Sequence, residues 1–90
     1  MLCEVAIGKQ QVLLHAKTGI REPSKGNHSV LGVGRRRPDP AGAKKLGAVT
    51  VPCGVLKRDP DHTGSLEYNE YITYNTSQHR PRYLVEVKFL

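Results

Sequence analysis

Apolar and polar residues alternate along segment 65–74, which predicts a β-strand with two different faces. Side chains of a strand point alternately to opposite sides. One predicted face carries Leu66, Tyr68, Glu70, Ile72 and Tyr74, and the other carries Glu67, Asn69, Tyr71 and Thr73. Burying a carboxylate among apolar neighbours is costly unless it is paired, hydrogen-bonded or open to a pocket. Glu70 is therefore a candidate site residue, and the alternative interpretations are that it pairs with an arginine or lies on a face that the sheet leaves exposed to water.

Other stretches of the chain show strand patterns between turn-forming residues. They are residues 2–7 and 12–14, interrupted at Gly8; residues 28–34, a weak glycine-punctuated strand; residues 49–53, placed at a sheet edge by Pro52; and residues 83–89. We expect the last stretch to pair with the strand that carries Glu70. Loops are predicted over 16–27 and 54–64, and residues 41–46 form one helical turn at most. No helical period extends over about 11 residues, so the chain is predicted to be mostly antiparallel β with long loops.

Length and charge limit the classes of protein that fit. Ninety residues make one small domain or part of a larger one, because domains usually run to roughly 100–150 residues. The net charge of +6 favours nucleic acid or other phosphate-bearing partners. Two interpretations of Arg35, Arg36 and Arg37 stay open, phosphate contacts or a solvated charge cluster. No apolar run approaches the roughly 18 residues of a membrane span and no signal-peptide pattern opens the chain, so we expect a soluble intracellular protein without a membrane partner.

The cysteines and histidines do not form a recognisable metal motif. Cys3 and Cys53 stand in strand-like contexts without a CxxC word, so we expect buried free thiols rather than a disulfide or a zinc site. The four histidines are spread over different predicted elements and are expected to be structural or surface residues: His15, His28, His62 and His79. The sequence therefore predicts no metal ion.

Several short words of the chain resemble one known family. They are Leu2-Cys3-Glu4-Val5-Ala6-Ile7-Gly8, Lys25-Gly26, His28-Ser29-Val30, Pro38-Asp39-Pro40, Tyr68-Asn69-Glu70-Tyr71-Ile72, Tyr74, Gln78 and Arg82-Tyr83-Leu84. Their order and spacing resemble the C-terminal portion of the catalytic domain of the poly(ADP-ribose) polymerases. The resemblance spans nearly the whole chain.

This resemblance implies a fold, a reaction and two site residues. The fold would be the α+β ADP-ribosyltransferase fold, with residues 1–90 as the C-terminal part of the catalytic domain. The reaction would be NAD-dependent transfer of ADP-ribose to protein acceptors, with NAD as substrate and no metal, in the nucleus and in DNA repair. DNA would be bound through domains upstream of this segment. Glu70 aligns with the family's catalytic glutamate and Tyr68 with a tyrosine near the acceptor side, although Tyr68 also fits an ordinary core tyrosine.

Two further residues of the family's site lie upstream of the region that this chain resembles. They are a histidine in a His-Gly-Ser/Thr word, which holds the ribose, and a tyrosine that stacks on nicotinamide. No His-Gly-Ser/Thr word occurs here, so the 90-residue chain by itself is expected to be inactive. The alternative function is a non-catalytic, basic, β-rich module that binds nucleic acid or poly(ADP-ribose) through Arg35, Arg36, Arg37, Lys44 and Lys45.

Overall fold

The structure, a computed structural model, describes residues 1–89, which form nine short strands and two 3₁₀ turns. The strands are β1 (Leu2–Val5), β2 (Gln10–Leu13), β3 (Ser29–Gly32), β4 (Arg36–Pro38), β5 (Lys44–Leu46), β6 (Val49–Val51), β7 (Leu56–Arg58), β8 (Glu70–Ile72) and β9 (His79–Tyr83). The 3₁₀ turns span Pro40–Gly42 and Thr76–Gln78. Helix within residues 1–89 is thus limited to single turns, which confirms the prediction of a chain with little helix.

The strands combine into four small sheets. The largest has three strands in the order β2-β3-β8, with β2 and β3 parallel and β3 and β8 antiparallel. The other sheets are the antiparallel pairs β1-β9, β4-β7 and β5-β6. The prediction of a mostly antiparallel β arrangement is therefore confirmed. The interruption predicted at Gly8 is also found, because β1 and β2 lie in different sheets.

The core of the described residues is centred on β3, which the sequence predicted only as a weak strand. Val30 is 2% exposed and Val33 is 7% exposed. Between β2 and β8, β3 has neighbours on both edges, so its side chains lose more contact with water than those of any two-stranded pair. The polar side chain of the buried Ser29 has a hydrogen-bond partner, since its hydroxyl donates to the Ile7 carbonyl at 2.7 Å.

The prediction for the last strand was wrong in both bounds and partner. The strand is β9, at His79–Tyr83, and it pairs with β1 rather than with the Glu70 strand. The cause is the turn at Thr76–Gln78, where the Asn75 side chain caps the Ser77 N–H at 3.0 Å. The Gln78 side-chain amide then donates to the carbonyls of Ala6 and His28 at 3.2 and 2.8 Å. These bonds carry the chain away from β8 to the end of β1.

The β1-β9 pair is closed by a charge cluster on its exposed side. Glu4 accepts hydrogen bonds from Arg80 at 3.1 Å and from Arg82 at 2.7 Å. The pKa of the Glu4 carboxyl is lowered below its ordinary value, mainly by the hydrogen bond from Arg80 and, second, by the hydrogen bond from Arg82. The carboxylate therefore stays charged, and it links the first strand to the last.

The prediction of buried cysteines was also wrong. Cys3 and Cys53 are free thiols, as expected, but both are exposed. Cys3 lies in the two-stranded pair β1-β9, and Cys53 follows the β5-β6 hairpin. A two-stranded pair without a covering layer leaves its side chains in water, so strand context alone did not place them in a core.

Candidate active site

A cleft of about 290 Å³ opens beside the three-stranded sheet, and Glu70 lines it together with Leu66, Ile72 and Tyr74. These four residues share the face that alternation predicted. Another wall of the cleft is segment 15–20, of which residues 16–20 belong to the predicted loop. Asn69 and Tyr71 line a separate groove of about 520 Å³, which confirms that the two sets of residues face different spaces.

The residue opposite Glu70 on β3 is a glycine, which also lines the cleft. In the antiparallel ladder, Gly32 is the partner of Glu70. A Cβ at Gly32 would lie 2.6 Å from Leu66 Cδ1 and 3.6 Å from Glu70 Cβ. A larger residue would press on the Leu66 side chain but would make only an ordinary contact with Glu70, so Gly32 gives Leu66 room at the floor of the cleft. The sequence analysis had considered this region only as a weak strand and missed the role of Gly32, since its partner on β8 is 38 positions away in the chain.

The Glu70 carboxylate is available to a ligand. Within residues 1–89 it has neither an ion-pair partner nor a side-chain hydrogen bond, and the residue is exposed. Glu70 is thus not buried on an apolar face, because β8 is only three residues long and lies at the edge of its sheet. Its exposure fits the alternative of a face that the sheet leaves in water, and the other alternative, pairing with an arginine, is not found among the described residues. A charged carboxylate beside a cleft can stabilise positive charge that develops on a bound molecule.

Tyr68 does not share the cleft with Glu70. Its side chain is 52% exposed, and its backbone forms an isolated bridge to Arg36. The expectation that Tyr68 lies on the same face was wrong because the chain before β8 leaves the strand geometry. In that stretch the carbonyls of Leu66 and Glu67 accept the N–H groups of Arg35 and Arg36, each at 2.9 Å.

The three arginines of the run are paired with two carboxylates, which compensate part of their charge. Arg35 and Arg36 both pair with Glu67, at 3.0 and 3.2 Å, and Arg37 pairs with Asp59 at 2.6 Å. These contacts favour the interpretation of a charge cluster over that of a row of free phosphate ligands.

The neighbouring strand pair β4-β7 continues this pattern of compensated charge. Lys57 and Asp39 pair at 2.8 Å. The pKa of the Asp39 carboxyl is lowered mainly by the hydrogen bond from Lys57 and, second, by the hydrogen bond from the Ala41 N–H. The hydrogen bond to Asp39 in turn raises the pKa of Lys57. Arg58, which lies opposite Arg36 across the ladder, has no ion-pair partner in residues 1–89.

Residues 1–89 contain neither a cluster of metal ligands nor a membrane-spanning helix. No group of three or more His, Cys, Asp or Glu side chains is arranged to hold a metal ion. Among the same residues, no helix has the length and apolar character needed to cross a membrane.

Comparison with known proteins identifies related sequences along the whole chain. The family described as "Poly(ADP-ribose) polymerase catalytic domain" matches residues 1–89. Poly [ADP-ribose] polymerase 2-A of Oryza sativa subsp. japonica is 43% identical over 90 residues, which is 99% of this chain and 14% of the relative. Poly [ADP-ribose] polymerase 2 of Arabidopsis thaliana is 40% identical with the same two coverages. Poly [ADP-ribose] polymerase 1 of Danio rerio is 42% identical, and this chain spans 9% of its length.

Proposed function

Because this chain belongs to the poly(ADP-ribose) polymerase catalytic-domain family, we propose that it is the C-terminal part of an NAD-dependent ADP-ribosyltransferase catalytic domain. The resemblance stated from the sequence is thereby confirmed at the level of the family. The proposal extends to an α+β fold completed by upstream sequence, protein acceptors, and a nuclear role in DNA repair. NAD is the substrate, and the proposed reaction uses no metal ion.

The observation that carries the proposal is the unpaired Glu70 carboxylate at the cleft. It lies in the Tyr68-Asn69-Glu70-Tyr71-Ile72 word, within the segment that matches the family. The three-stranded sheet holds its backbone through Gly32, and the side chain faces the cleft and not a neighbouring arginine. A carboxylate on a sheet strand is held more precisely than one on a loop, which catalysis requires.

The chemistry follows from the charge that the reaction develops. The glycosidic bond between nicotinamide and ribose breaks, nicotinamide leaves with the bonding electrons, and positive charge develops on the ribose carbon. A bond from the acceptor's nucleophilic atom then forms at that carbon, and the acceptor's proton passes to solvent water. Glu70 would stabilise the cation-like transition state, hydrogen-bond a hydroxyl of the nicotinamide ribose and polarise the incoming acceptor. Tyr68, which is exposed outside the cleft, would contact the acceptor.

A chimera tests the role of Glu70. In the rice relative, the matched segment is replaced by this 90-residue chain, which supplies the rest of a catalytic domain. Glu70→Gln preserves size but removes the charge that acts in the transition state, so we expect turnover to fall by at least about 100-fold with NAD affinity changed less than about twofold. The measurement is nicotinamide release at saturating NAD.

The matched control is Glu86→Gln, which makes the same chemical change at an exposed residue outside the cleft. It should leave turnover unchanged. Turnover by the Glu70→Gln chimera equal to that of the parent chimera would exclude the catalytic role.

A further inference from the structure

His62 uses both nitrogens of its ring in hydrogen bonds to the backbone. Its Nε2 lies 2.8 Å from the Val33 carbonyl oxygen, and its Nδ1 accepts the Gly64 N–H at 2.9 Å. A carbonyl can only accept and a backbone N–H can only donate, so Nε2 carries the proton and Nδ1 does not. These two bonds select one neutral tautomer and one ring orientation.

The hydrogen bond from His62 to the Val33 carbonyl lies next to the cleft. Val33 directly follows Gly32, the residue opposite Glu70, and it is almost fully buried. Its own N–H donates to the Leu13 carbonyl at 2.8 Å, at the end of β2. The bond from His62 therefore holds the point where β2 and β3 end together, next to the floor of the cleft.

Residues 62–65, which we call the brace, also hold the other wall of the cleft. Gly64 is buried, and a Cβ there would overlap the Leu14 carbonyl, so the brace runs directly against the chain after β2. The Ser65 hydroxyl then accepts the Ala16 N–H at 3.0 Å, at the start of the 15–20 wall. One short segment thus contacts the β3 end and the 15–20 wall just before the chain enters the strand of Glu70.

We propose that His62 is a positioning residue, which sets the Glu70 carboxylate relative to the 15–20 wall through its bond to Val33. This inference rests on the proposed function, because it assigns a role in the reaction of Glu70. It goes beyond the sequence interpretation of His62 as a structural or surface residue. The role requires the long-range bond to Val33, and the local bond to Gly64 alone is insufficient.

Three substitutions in the chimera separate the two bonds. In His62→Gln the amide nitrogen reaches the position of Nε2 and can donate to Val33, whereas in His62→Asn the oxygen of the shorter amide can accept the Gly64 N–H but the amide nitrogen does not reach the Val33 carbonyl. His62→Ala removes both. Misplacement of a catalytic group by about 1 Å can cost about 100-fold, so we expect kcat to fall between about 10-fold and 100-fold in the Ala and Asn variants. KM for NAD should stay within about twofold, and Gln should restore kcat to within about threefold of the parent.

Amide hydrogen exchange, followed by mass spectrometry, gives a second readout. Peptides that contain Ala16 and Val33 should exchange faster in the Ala and Asn variants than in the parent chimera, and at the parent rate in the Gln variant. The control is His79→Ala, which removes an exposed histidine from β9 and should change neither kcat nor exchange in these peptides.

The outcomes separate this inference from the proposed function. If Glu70→Gln abolishes turnover while His62→Ala and His62→Asn keep the parental kcat per folded molecule, only the positioning role is overturned. A Gln variant as impaired as the Ala variant also overturns it, because retention of the Val33 bond would then have no effect. If turnover is indifferent to Glu70→Gln, the proposed function fails and the positioning role fails with it.

Discussion

The three-stranded sheet and the strand pair β4-β7 differ in how their charged groups are paired. Beside the sheet β2-β3-β8, the Glu70 carboxylate faces a cleft and has no ion-pair partner in residues 1–89. Near β4-β7, the cations Arg36, Arg37 and Lys57 each pair with a carboxylate. The region with the most charge therefore has part of that charge compensated by ion pairs, whereas the carboxylate beside the three-stranded sheet has no ion-pair partner in residues 1–89.

The two regions also differ in how many of their described residues are buried. The buried residues of the described chain are Ser29, Val30, Gly32, Val33, Gly34 and Gly64. All of them lie in β3, directly after it, or in the brace, and none lies between β4 and β7. A site needs a rigid support, and the support here lies under Glu70. The net charge of +6 is thus a poorer guide to the site than the position of one unpaired group on the packed sheet.

The largest effect that we expect is the complete loss of function in the 90-residue chain alone. Sixteen large apolar side chains are exposed in residues 1–89, and the buried apolar core consists of Val30 and Val33. Ordering a backbone costs about 1–2 kcal/mol per residue, which so small a core does not offset. The purified chain should release no nicotinamide from NAD above a blank without protein, and it should show no cooperative thermal unfolding.

The parent chimera is the reference for this prediction, since it contains the same 90 residues together with the upstream sequence of the relative. A cooperative unfolding transition combined with nicotinamide release by the isolated chain would show that these residues contain a complete site. Activity would then not require the upstream sequence that the chimera supplies.

A smaller effect is expected from truncation of the core. In the chimera, Val30→Ala should lower the free energy of unfolding by about 2 kcal/mol, because it leaves a cavity at the centre of the sheet. Val55→Ala, at a residue that is 77% exposed beside β7, should change it by less than about 0.5 kcal/mol. Chemical denaturation of both variants measures the difference. Equal losses would mean that the β4-β7 region carries as much of the core as the sheet does.

The parts of the site that were predictable are those that depend on local sequence. A period of two placed Leu66, Glu70 and Ile72 on one side, and the structure confirms this. The pairing of β9 with β1 was not predictable, because it depends on the Gln78 amide, which bonds to the carbonyl of Ala6 72 positions away. Alternation assigns residues to faces of a strand but does not select the partner strand. For the same reason, neither the role of Gly32 nor the exposure of Cys3 followed from their own segments.

The smallest effect concerns the arginine run, and it tests whether its charge is compensated. Arg37→Ser combined with Asp59→Ser removes an ion pair of 2.6 Å and leaves the net charge unchanged. If Arg37 bound a phosphate, the double variant would lose one contact, and the slope of log K against log salt for a DNA duplex would become about 0.9 shallower. Because the guanidinium already has a carboxylate partner, we expect the slope to change by less than about 0.3.

Lys44→Ser is the comparison, since Lys44 has no ion-pair partner in residues 1–89 and its removal lowers the net charge by one. A slope that flattens more in the neutral double variant than in Lys44→Ser would favour the basic binding module, because the ion pair would then open to a nucleic-acid phosphate.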